Sequence, residues 1–416
     1  MEHSAFVFAT DLEDEGIDRV LDNLQERARL TGVTIAAAYH AGRDIFPHNP
    51  RSTMRFLDAG VFFHPDARLY RDTRIKPRVS ATTGGVDTLA RASEAAAARG
   101  MHVQAWVVFL HVDGSSDAVA AAARNAFDDP FLTDLCPANP DARAYAVALA
   151  ADVARYRPVS IVAESLHYPL LEHGYHHERY FLHLGPLARF LLGLCFCAHC
   201  LSAARADGVD GDAVRRAVRA QLQRVFDRGD SDRDIDVSRA RAASLADGEL
   251  GAYLDVRERV VTSLARAVGA AAREAGSRLT FCDLSGAVKG YATGMPVGDA
   301  AAAIAWRFGV GWAELAEACD EIAVCGYAAD PRRLEDDLRA YAASTGGRAD
   351  LAVVLRPVPP DCDSAENLRR KLEIASRLGA RRADFYHYGL APLSALDLIR
   401  DAVSYCAGTA TARAET

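Results

Sequence analysis

The chain has 416 residues, half of them hydrophobic and a quarter charged, and its formal net charge at pH 7 is −8. This is ordinary globular composition, and the acidic balance argues against a nucleic-acid partner, which needs a basic face. No apolar run reaches the roughly 18 residues of a membrane span, and no basic segment followed by an apolar one opens the sequence. We therefore expect a cytoplasmic protein without a membrane partner. The odd count of nine cysteines argues against a disulfide framework in that reducing compartment.

The first half of the chain alternates strand-like and helix-like segments. Four strands are predicted, with the sequences SAFVFATDL, GVTIAAAYH, MHVQAWVVFLHVD and PVSIVAESLHYP. Helices are predicted between them over Glu13–Leu30, Val86–Arg99 and residues 140–156. A polar, cysteine-bearing excursion then extends to about Gly248. An amphipathic helix over Glu249–Ala275 follows it, because the apolar residues there recur with a period of 3.6.

The second half is more regular and contains four further predicted strands, RLTFCDLSG, EIAVCGYAADP, ADLAVVLRPVPP and ADFYHYGLAP. Helices are predicted over Trp312–Cys319, Pro331–Ala343, Ala365–Leu378 and Leu393–Tyr405. These short apolar strands are typical of a parallel sheet covered by helices. Eight β-then-α units predict a single (β/α)₈ TIM barrel domain over residues 1–416, with an insertion after strand four over residues 170–248. A doubly wound sheet is the alternative, but no glycine-rich phosphate turn follows the first strand.

In a TIM barrel the active site lies where the strands end, and these ends carry a distinctive set of side chains. The set comprises Tyr39, His40, His111, Asp113, Glu164, His167, Tyr168, Asp283, Tyr327, Arg356, His387 and Tyr388, with His64 in a loop of the same rim. Any strand turns polar on leaving the core, which explains many of these residues individually. It explains the bias toward aromatic rings and histidines less well. The set therefore favours an enzyme with a hydroxyl-rich substrate, while Trp106 and Trp306 are interpreted as core residues.

Three cysteines, Cys195, Cys197 and Cys200, lie within six residues of the excursion. A CxCxxC spacing is too tight for relaxed disulfides, but it suits a tetrahedral metal centre. A structural zinc ion needs a fourth ligand, and the nearby candidates are Cys136 and His199. The alternative is a reduced cluster without metal.

Residues 130–205 contain CPANPDARAY, VAESLHYP and CFCAHCLSAAR, in that order. This region resembles the family 42 glycoside hydrolases, the microbial β-galactosidases, and also the uncharacterised family-10-like glycoside hydrolase barrels. The resemblance implies structural zinc on the four cysteines Cys136, Cys195, Cys197 and Cys200. It also implies a possible homo-oligomer.

The resemblance further implies that Glu164, at the end of strand four, is the general acid/base. Its apolar neighbours would raise its pKa, although a simple ion pair with an arginine is the plainer interpretation. Glycosidases use two carboxyl groups. Strand seven, where the related galactosidases carry a glutamate nucleophile, ends here in Arg356. We therefore predict Asp283 as the partner carboxylate, with Asp113 as second choice.

The predicted function is that of a glycoside hydrolase-like enzyme acting on a small carbohydrate or glycoside. The predicted substrate-binding residues are His40, His64, Asp113, His167, Tyr168, Tyr327, Arg356, His387 and Tyr388. One alternative is a divalent-metal-dependent sugar isomerase or epimerase, in which Glu164, Asp283 and rim histidines hold the metal. The histidines available to it include His173, His176, His177 and His183. The other alternative is a carbohydrate-binding barrel without turnover.

Overall fold

The computed structural model describes residues 1–112, 114–171, 179–229, 237–290, 294–296 and 298–414. Its eight parallel strands are, in chain order, β1 (Glu2–Val7), β2 (Gly32–Tyr39), β3 (His102–Val108), β4 (Ser160–Glu164), β5 (Arg278–Asp283), β6 (Glu321–Cys325), β7 (Asp350–Leu355) and β8 (Arg382–Phe385). Each strand pairs with the next, and β1 pairs with both β2 and β8, so the sheet closes into a barrel. Helices surround the barrel, which confirms the predicted TIM-barrel fold.

The helices are α1 (Ala9–Glu15), α2 (Ile17–Asp22), α3 (Thr88–Ala98), α4 (Ser116–Ala120), α5 (Pro140–Ala154), α6 (Pro186–Leu192), α7 (Ala198–Ala206), α8 (Gly211–Arg228), α9 (Arg239–Ala243), α10 (Glu249–Glu274), α11 (Ser285–Gly290), α12 (Trp312–Leu315), α13 (Pro331–Thr345), α14 (Ala365–Arg377) and α15 (Ala395–Ala414). Short 3₁₀ turns cover Ala67–Tyr70, Ala81–Thr83, Ala246–Gly248 and Ala301–Phe308. Across the described ranges, no helix is both long and apolar enough to cross a membrane.

Three predicted helices differ in extent from the structure, and the last of them, expected over Leu393–Tyr405, extends to Ala414 as α15. The one expected over Glu13–Leu30 is divided, because Gly16 has a φ of 96° and separates α1 from α2. A positive φ of this size suits glycine, which has no Cβ. A π-helical turn over Asn23–Arg27 then completes the segment. The helix expected over Trp312–Cys319 is reduced to the short α12.

Other helices begin where their sequences supply a cap. Asn139 precedes α5, and its side-chain oxygen accepts hydrogen bonds from the backbone N–H groups of Asp141 and Ala142. Pro140 occupies the first turn, where a missing N–H costs nothing. Asp330 caps α13 in the same way, also followed by a proline.

The stretch after β2 forms an antiparallel hairpin, Gly42–Ile45 paired with Met54–Leu57. A short strand, Gly60–Val61, then pairs antiparallel with the end of β2. These additions build up one side of the barrel mouth.

The hairpin is anchored to α1, which directly follows β1. Asn49, in the hairpin turn, donates a 3.0 Å hydrogen bond to Asp14 Oδ2, and Arg55 also pairs with Asp14. His48 Nδ1 lies 3.0 Å from Glu15 Oε1, and both side chains are largely buried. These contacts hold the hairpin against the carboxyl end of β1.

The barrel interior is layered, as is usual for this architecture. Toward the carboxyl ends of the strands the interior is filled by mainly apolar side chains, called here the inner cluster. Its members include Phe6, Phe8, Ala36, Phe46, Leu57, Phe62, Trp106, Val162, Cys282, Ala323, Cys325, Tyr327, Ala352 and Val354. Toward the amino ends of the strands the interior is polar. The buried side chains there are Ser4, Thr34, Gln104, Ser160, Thr280, Glu321, Arg382 and Asp384.

Arg382 is the cation of this polar layer. Its Nε donates a 2.8 Å hydrogen bond to Asp384 Oδ2, and its Nη1 lies 2.5 Å from Glu321 Oε2. Burial raises the pKa of both Glu321 and Asp384, and the Arg382 charge opposes that rise. One guanidinium therefore pairs with two buried carboxyl groups.

Replacing Arg382 with Met is expected to lower the free energy of unfolding by about 3 kcal/mol, because it leaves two buried acids without a counter-charge. Urea denaturation followed by tryptophan fluorescence measures this loss. The neighbouring Arg381 is exposed, with its Nε 3.5 Å from Asp350 Oδ1. Arg381→Met should therefore change stability by less than about 1 kcal/mol. Equal midpoints for the two variants would contradict this account of the polar layer.

Candidate active site

Glu164 is the last residue of β4, and its side chain faces the barrel interior because Val162, two residues earlier, belongs to the inner cluster. The indole N–H of Trp106 donates a 2.6 Å hydrogen bond to Glu164 Oε2. Burial raises the pKa of Glu164 to about 7, while the Trp106 hydrogen bond and the charge of His111 act in the opposite direction. Both protonation states are therefore accessible near neutral pH, which suits a general acid.

Aromatic rings surround this carboxyl group. The Tyr39 ring centroid lies 4.5 Å from that of Trp106 and 5.0 Å from that of Phe8. Burial raises the pKa of Tyr39 well above its usual value, and the neighbouring Tyr386 and Glu164 add to the effect. Tyr39 therefore remains a neutral phenol, hydrogen-bonded to Tyr386, in the wall of the site.

The opposite wall contains Tyr327 and Arg356, both predicted from the sequence. The Arg356 guanidinium carbon lies 4.4 Å from the Tyr327 ring centroid, and its Nη2 donates a 2.8 Å hydrogen bond to Asp361 Oδ1. Asp361 is buried, so this ion pair fixes the arginine. The Tyr386 ring lies 6.2 Å from Tyr327, which connects the two walls.

Two histidines lie on the side of β2 and β3. The His40 ring is 4.2 Å from Tyr39 and 5.0 Å from His111, between ring centroids. His111 Nδ1 lies 3.0 Å from Asp134 Oδ1. A cavity of about 140 Å³ beside them is lined by Tyr39, His111 and Lys76, among others. The lining of this cavity is thus both cationic and aromatic.

Asp283 does not join Glu164 in the barrel interior. Cys282, the preceding residue, belongs to the inner cluster, and successive side chains of a strand point to opposite faces. Asp283 therefore faces the helix layer, where it accepts hydrogen bonds from Ser285 Oγ at 3.0 Å and from Tyr341 of α13. Burial raises its pKa to about 6. The expected Glu164–Asp283 pair is not formed, because the two carboxyls lie on opposite sides of the barrel wall.

Two other predicted substrate-binding residues lie away from the interior. His64 is exposed near the start of α3, with Nε2 2.8 Å from the carbonyl oxygen of Gly85. Tyr388 donates a 2.9 Å hydrogen bond to Glu15 Oε2 in the helix layer. Asp113, His173, His176 and His177 lie outside the described residues.

Three further predicted residues are buried. The His167 ring lies 4.7 Å from that of Phe308, outside the inner cluster. Tyr168 contacts the cysteine cluster instead of the barrel mouth. His387 packs 4.0 Å from Phe8, and burial lowers its pKa to about 3, so it forms a neutral part of the wall behind the site.

Sequence reasoning did not assign Tyr386 or Asp44 to the site, interpreted Trp106 as core, and placed Tyr39 at the strand-end rim without a binding role. Trp106 lies opposite Val162 in the sheet register, one layer below Glu164. Because every second side chain of a strand faces the same side, the alternation along β3 and β4 places Trp106 in the interior with Glu164. Tyr39 turns inward because the register shifts between Ala36 and Ala38, and no residue pattern signals this bulge. Asp44 lies on the hairpin, where burial raises its pKa and its charge acts on Tyr39.

Trp106→Phe removes the indole N–H but keeps an aromatic ring in place. That hydrogen bond favours the ionised carboxylate, so its loss is expected to raise the pKa of Glu164 further. For a reaction that needs Glu164 protonated, the alkaline limb of the pH–rate profile should move upward by about one pH unit. An unchanged limb, at normal folding, would show that the hydrogen bond does not set the acid's strength.

A second site lies where the loop before α5 meets the first turn of α7 and the residues just before it. The sulfur atoms of Cys136, Cys195, Cys197 and Cys200 all lie within 4.8 Å of one another, and all four side chains are buried. Cys136 Sγ is 3.4 Å from Cys200, 3.8 Å from Cys195 and 3.4 Å from Cys197. A tetrahedral centre with Zn–S bonds of about 2.3 Å has S–S edges of about 3.8 Å. The cluster therefore has the dimensions of a metal centre.

The surroundings of these sulfurs also fit a metal. The backbone N–H of Arg124 donates to Cys195 Sγ at 3.3 Å, and that of Ala138 donates to Cys136 Sγ at 3.4 Å. Such donors favour a thiolate over a thiol. In the described part of the chain, no other group of three or more His, Cys, Asp or Glu side chains converges in this way. The predicted four-cysteine set is thus brought together and could bind a metal, and His199 is not needed.

At the level of sequence, no protein-family model matches the chain, and no curated protein matches it significantly. Among solved structures it is similar to a β-galactosidase from the psychrophilic Marinomonas ef1, with a TM-score of 0.54 and 11% identity over 99% of this chain and 60% of that one. A chitinase from Chromobacterium violaceum ATCC 12472 aligns with a TM-score of 0.44 and 8% identity over 97% of this chain and 99% of the other. At such identities the likeness is one of fold, and the chain spans 60% of the length of the galactosidase.

Proposed function

We propose that the protein is a glycoside hydrolase in which Glu164 is the general acid. The observation that carries this is the placement of one carboxyl at the carboxyl end of the barrel, held by Trp106 and with a pKa raised to about 7. Glycoside cleavage needs such an acid to protonate the leaving-group oxygen. The alternative of a plain ion pair finds no support, because the hydrogen-bond partner of Glu164 is an indole.

A sugar substrate suits the side chains around this acid. Tyr39, Tyr327 and Tyr386 offer phenol rings and hydroxyl groups, and Arg356 offers a guanidinium fixed by Asp361. Sugars are bound by stacking on such rings and by hydrogen bonds to their hydroxyls. The similarity of fold to a β-galactosidase agrees with a carbohydrate substrate.

The partner carboxylate is proposed to come from the hairpin after β2. Asp44 is half-buried, and its charge acts on Tyr39, which lies against Trp106. It replaces Asp283, whose hydrogen bonds tie it to the helix layer. Asp113 stays a second candidate from the sequence alone.

We further propose that the four cysteines hold a structural zinc ion. Four sulfur ligands at tetrahedral spacing leave no open position, so the ion would stabilise the loops around β4 and take no part in the reaction. Cys136 comes from the segment after β3 and the other three from the excursion after β4, so the ion would join these two connections.

Turnover of a panel of aryl glycosides and free sugars, each with and without a chelator, tests the function. Release of the aryl group, unaffected by the chelator, supports the hydrolase. Interconversion of free sugars that needs an added divalent metal would favour an isomerase, and binding without turnover would favour a carbohydrate-binding barrel. Either result would overturn the proposal. Comparing Asp44→Asn with Asp283→Asn then decides the partner carboxylate, since only the first should abolish turnover at unchanged substrate binding.

A further inference from the structure

The cysteine cluster is connected to the end of β4 through one side chain, Tyr168. This residue follows Glu164 by four positions, and its hydroxyl lies 3.3 Å from Cys200 Sγ. Its backbone N–H donates a 3.0 Å hydrogen bond to the carbonyl of Phe308, and the side chain is buried. The loop that follows Glu164 is therefore connected, four residues later, to Cys200, a proposed metal ligand.

A buried arginine, Arg257, stacks on the ring of Tyr168. The guanidinium carbon of Arg257, a residue of α10, is 4.4 Å from the Tyr168 ring centroid, and the side chain is 1% exposed. Its Nη2 donates to the carbonyl of Arg307 at 3.2 Å, while Nε and Nη1 have no hydrogen-bond partner within the described residues. The adjacent Glu258 pairs with Arg239 instead, at 2.9 Å.

A buried cation without a carboxylate is costly unless another negative group lies near it. Four thiols that bind Zn²⁺ give up four protons, so the centre changes from neutral to a net charge of about −2. Arg257, stacked on the ring that contacts Cys200, is positioned to balance part of that charge. A second guanidinium, that of Arg143, donates a 3.1 Å hydrogen bond to the carbonyl of Pro137, beside Cys136.

We propose that Tyr168 and Arg257 form the outer layer of the metal centre, with the Tyr168 hydroxyl donating to the Cys200 thiolate and Arg257 supplying the counter-charge behind the ring. The proposal rests on the proposed metal site. Outer groups of this kind tune ligand strength and metal retention. They also make Tyr168 a positioning residue for the strand end that carries Glu164, in place of the substrate contact expected from the sequence.

Cobalt-substituted protein tests this, because the thiolate-to-cobalt charge-transfer bands report directly on the sulfur. A hydrogen bond to a thiolate lowers the energy of its lone pairs and so raises the energy of the transition. Tyr168→Phe keeps the ring under Arg257 but removes the donor. We expect its charge-transfer band to move to longer wavelength, and its zinc to pass to a chromophoric chelator roughly 10-fold more readily than in the parent.

Tyr253 supplies a matched control at the same centre. It is equally buried, but its hydroxyl donates a 2.7 Å hydrogen bond to the backbone carbonyl of Cys195 and not to a sulfur. Tyr253→Phe should therefore leave the cobalt spectrum unchanged. Arg257→Met should release metal more readily still, whereas Arg257→Lys should retain most of it. Circular dichroism of each variant checks that it is folded.

The outcomes separate this inference from the sites on which it rests. If the parent binds about one cobalt per chain but Tyr168→Phe matches it in spectrum and metal release, the outer layer is wrong while the metal site stands. If Tyr253→Phe shifts the band as much as Tyr168→Phe, the effect is general loosening, and the proposal fails. If the parent binds neither cobalt nor zinc, the metal site and its outer layer both fail.

Discussion

Glu164→Gln is expected to reduce turnover of any glycoside that the parent protein cleaves by roughly 10²- to 10⁴-fold, the usual contribution of a positioned general acid. Glutamine preserves the shape of the side chain and can still contact Trp106, but it has no acidic proton to give. The loss should appear in kcat at nearly unchanged KM. The loss of kcat should be smaller for substrates whose leaving groups depart without protonation, such as dinitrophenyl glycosides, because their cleavage does not depend on a general acid.

The same residue predicts the pH dependence. Burial raises the pKa of Glu164 to about 7, so the carboxyl is protonated below that pH and ionised above it. An acid works only while it carries its proton, and the rate should therefore fall as pH rises through about 7. Glu164→Gln should lose this alkaline limb. Glu258 is a matched control, since burial also raises its pKa but it lies on α10 and pairs with Arg239. Full activity in Glu164→Gln, or an equal loss in Glu258→Gln, would refute the assignment.

Cys197→Ser is expected to release the metal and to lower stability by several kcal/mol. Structural zinc binds with a large free energy that is also folding free energy, and three ligands hold it far less well than four. A chain of 416 residues has an unfolding entropy of roughly 0.9 kcal/mol/K, so a loss of about 5 kcal/mol lowers Tm by about 6 °C. Elemental analysis should find about one zinc per chain in the parent and none in the variant.

Cys406→Ser provides the control for the sulfur-to-oxygen change. Cys406 lies half-buried on α15, more than 200 residues beyond the last cysteine of the cluster. Its replacement should leave zinc content unchanged and Tm within about 1 °C of the parent. If the parent contains no zinc, or if Cys197→Ser melts with the parent, the metal proposal is wrong.

The eight barrel strands could be predicted from the sequence because each is an apolar run of four to eight residues between turn or helix signals. The same apolarity concealed which way the side chains point. Strands of a parallel barrel are buried on both faces, so they lack the alternation that distinguishes inside from outside. In β5 a step of one residue separates Cys282, which faces the interior, from Asp283, which faces α13. The position of Asp283 at a strand end could therefore be predicted, but not its direction.

The roles of two side chains around Glu164 were not predicted, for related reasons. Trp106 is apolar enough to be interpreted as core, and it is indeed buried, yet its indole N–H is the group that holds the carboxyl. Tyr39 depends on the bulge in β2, a feature of pairing between strands that single-strand patterns do not reveal. The cysteine cluster was easier to predict, because thiols are rare and their spacing alone restricts the chemistry.

The two proposed catalytic carboxyl groups lie in parts of the structure that differ in how readily their sequences can change. Glu164 belongs to a strand of the closed barrel, whereas Asp44 belongs to a short hairpin whose anchors, Asp14 and Glu15, lie on α1, outside the barrel sheet. Loops of this kind tolerate insertion, deletion and exchange far better than the strands they connect. If the proposed function holds, exchange of residues 42–57 alone should therefore change substrate preference while Glu164, Trp106 and the barrel stay unchanged.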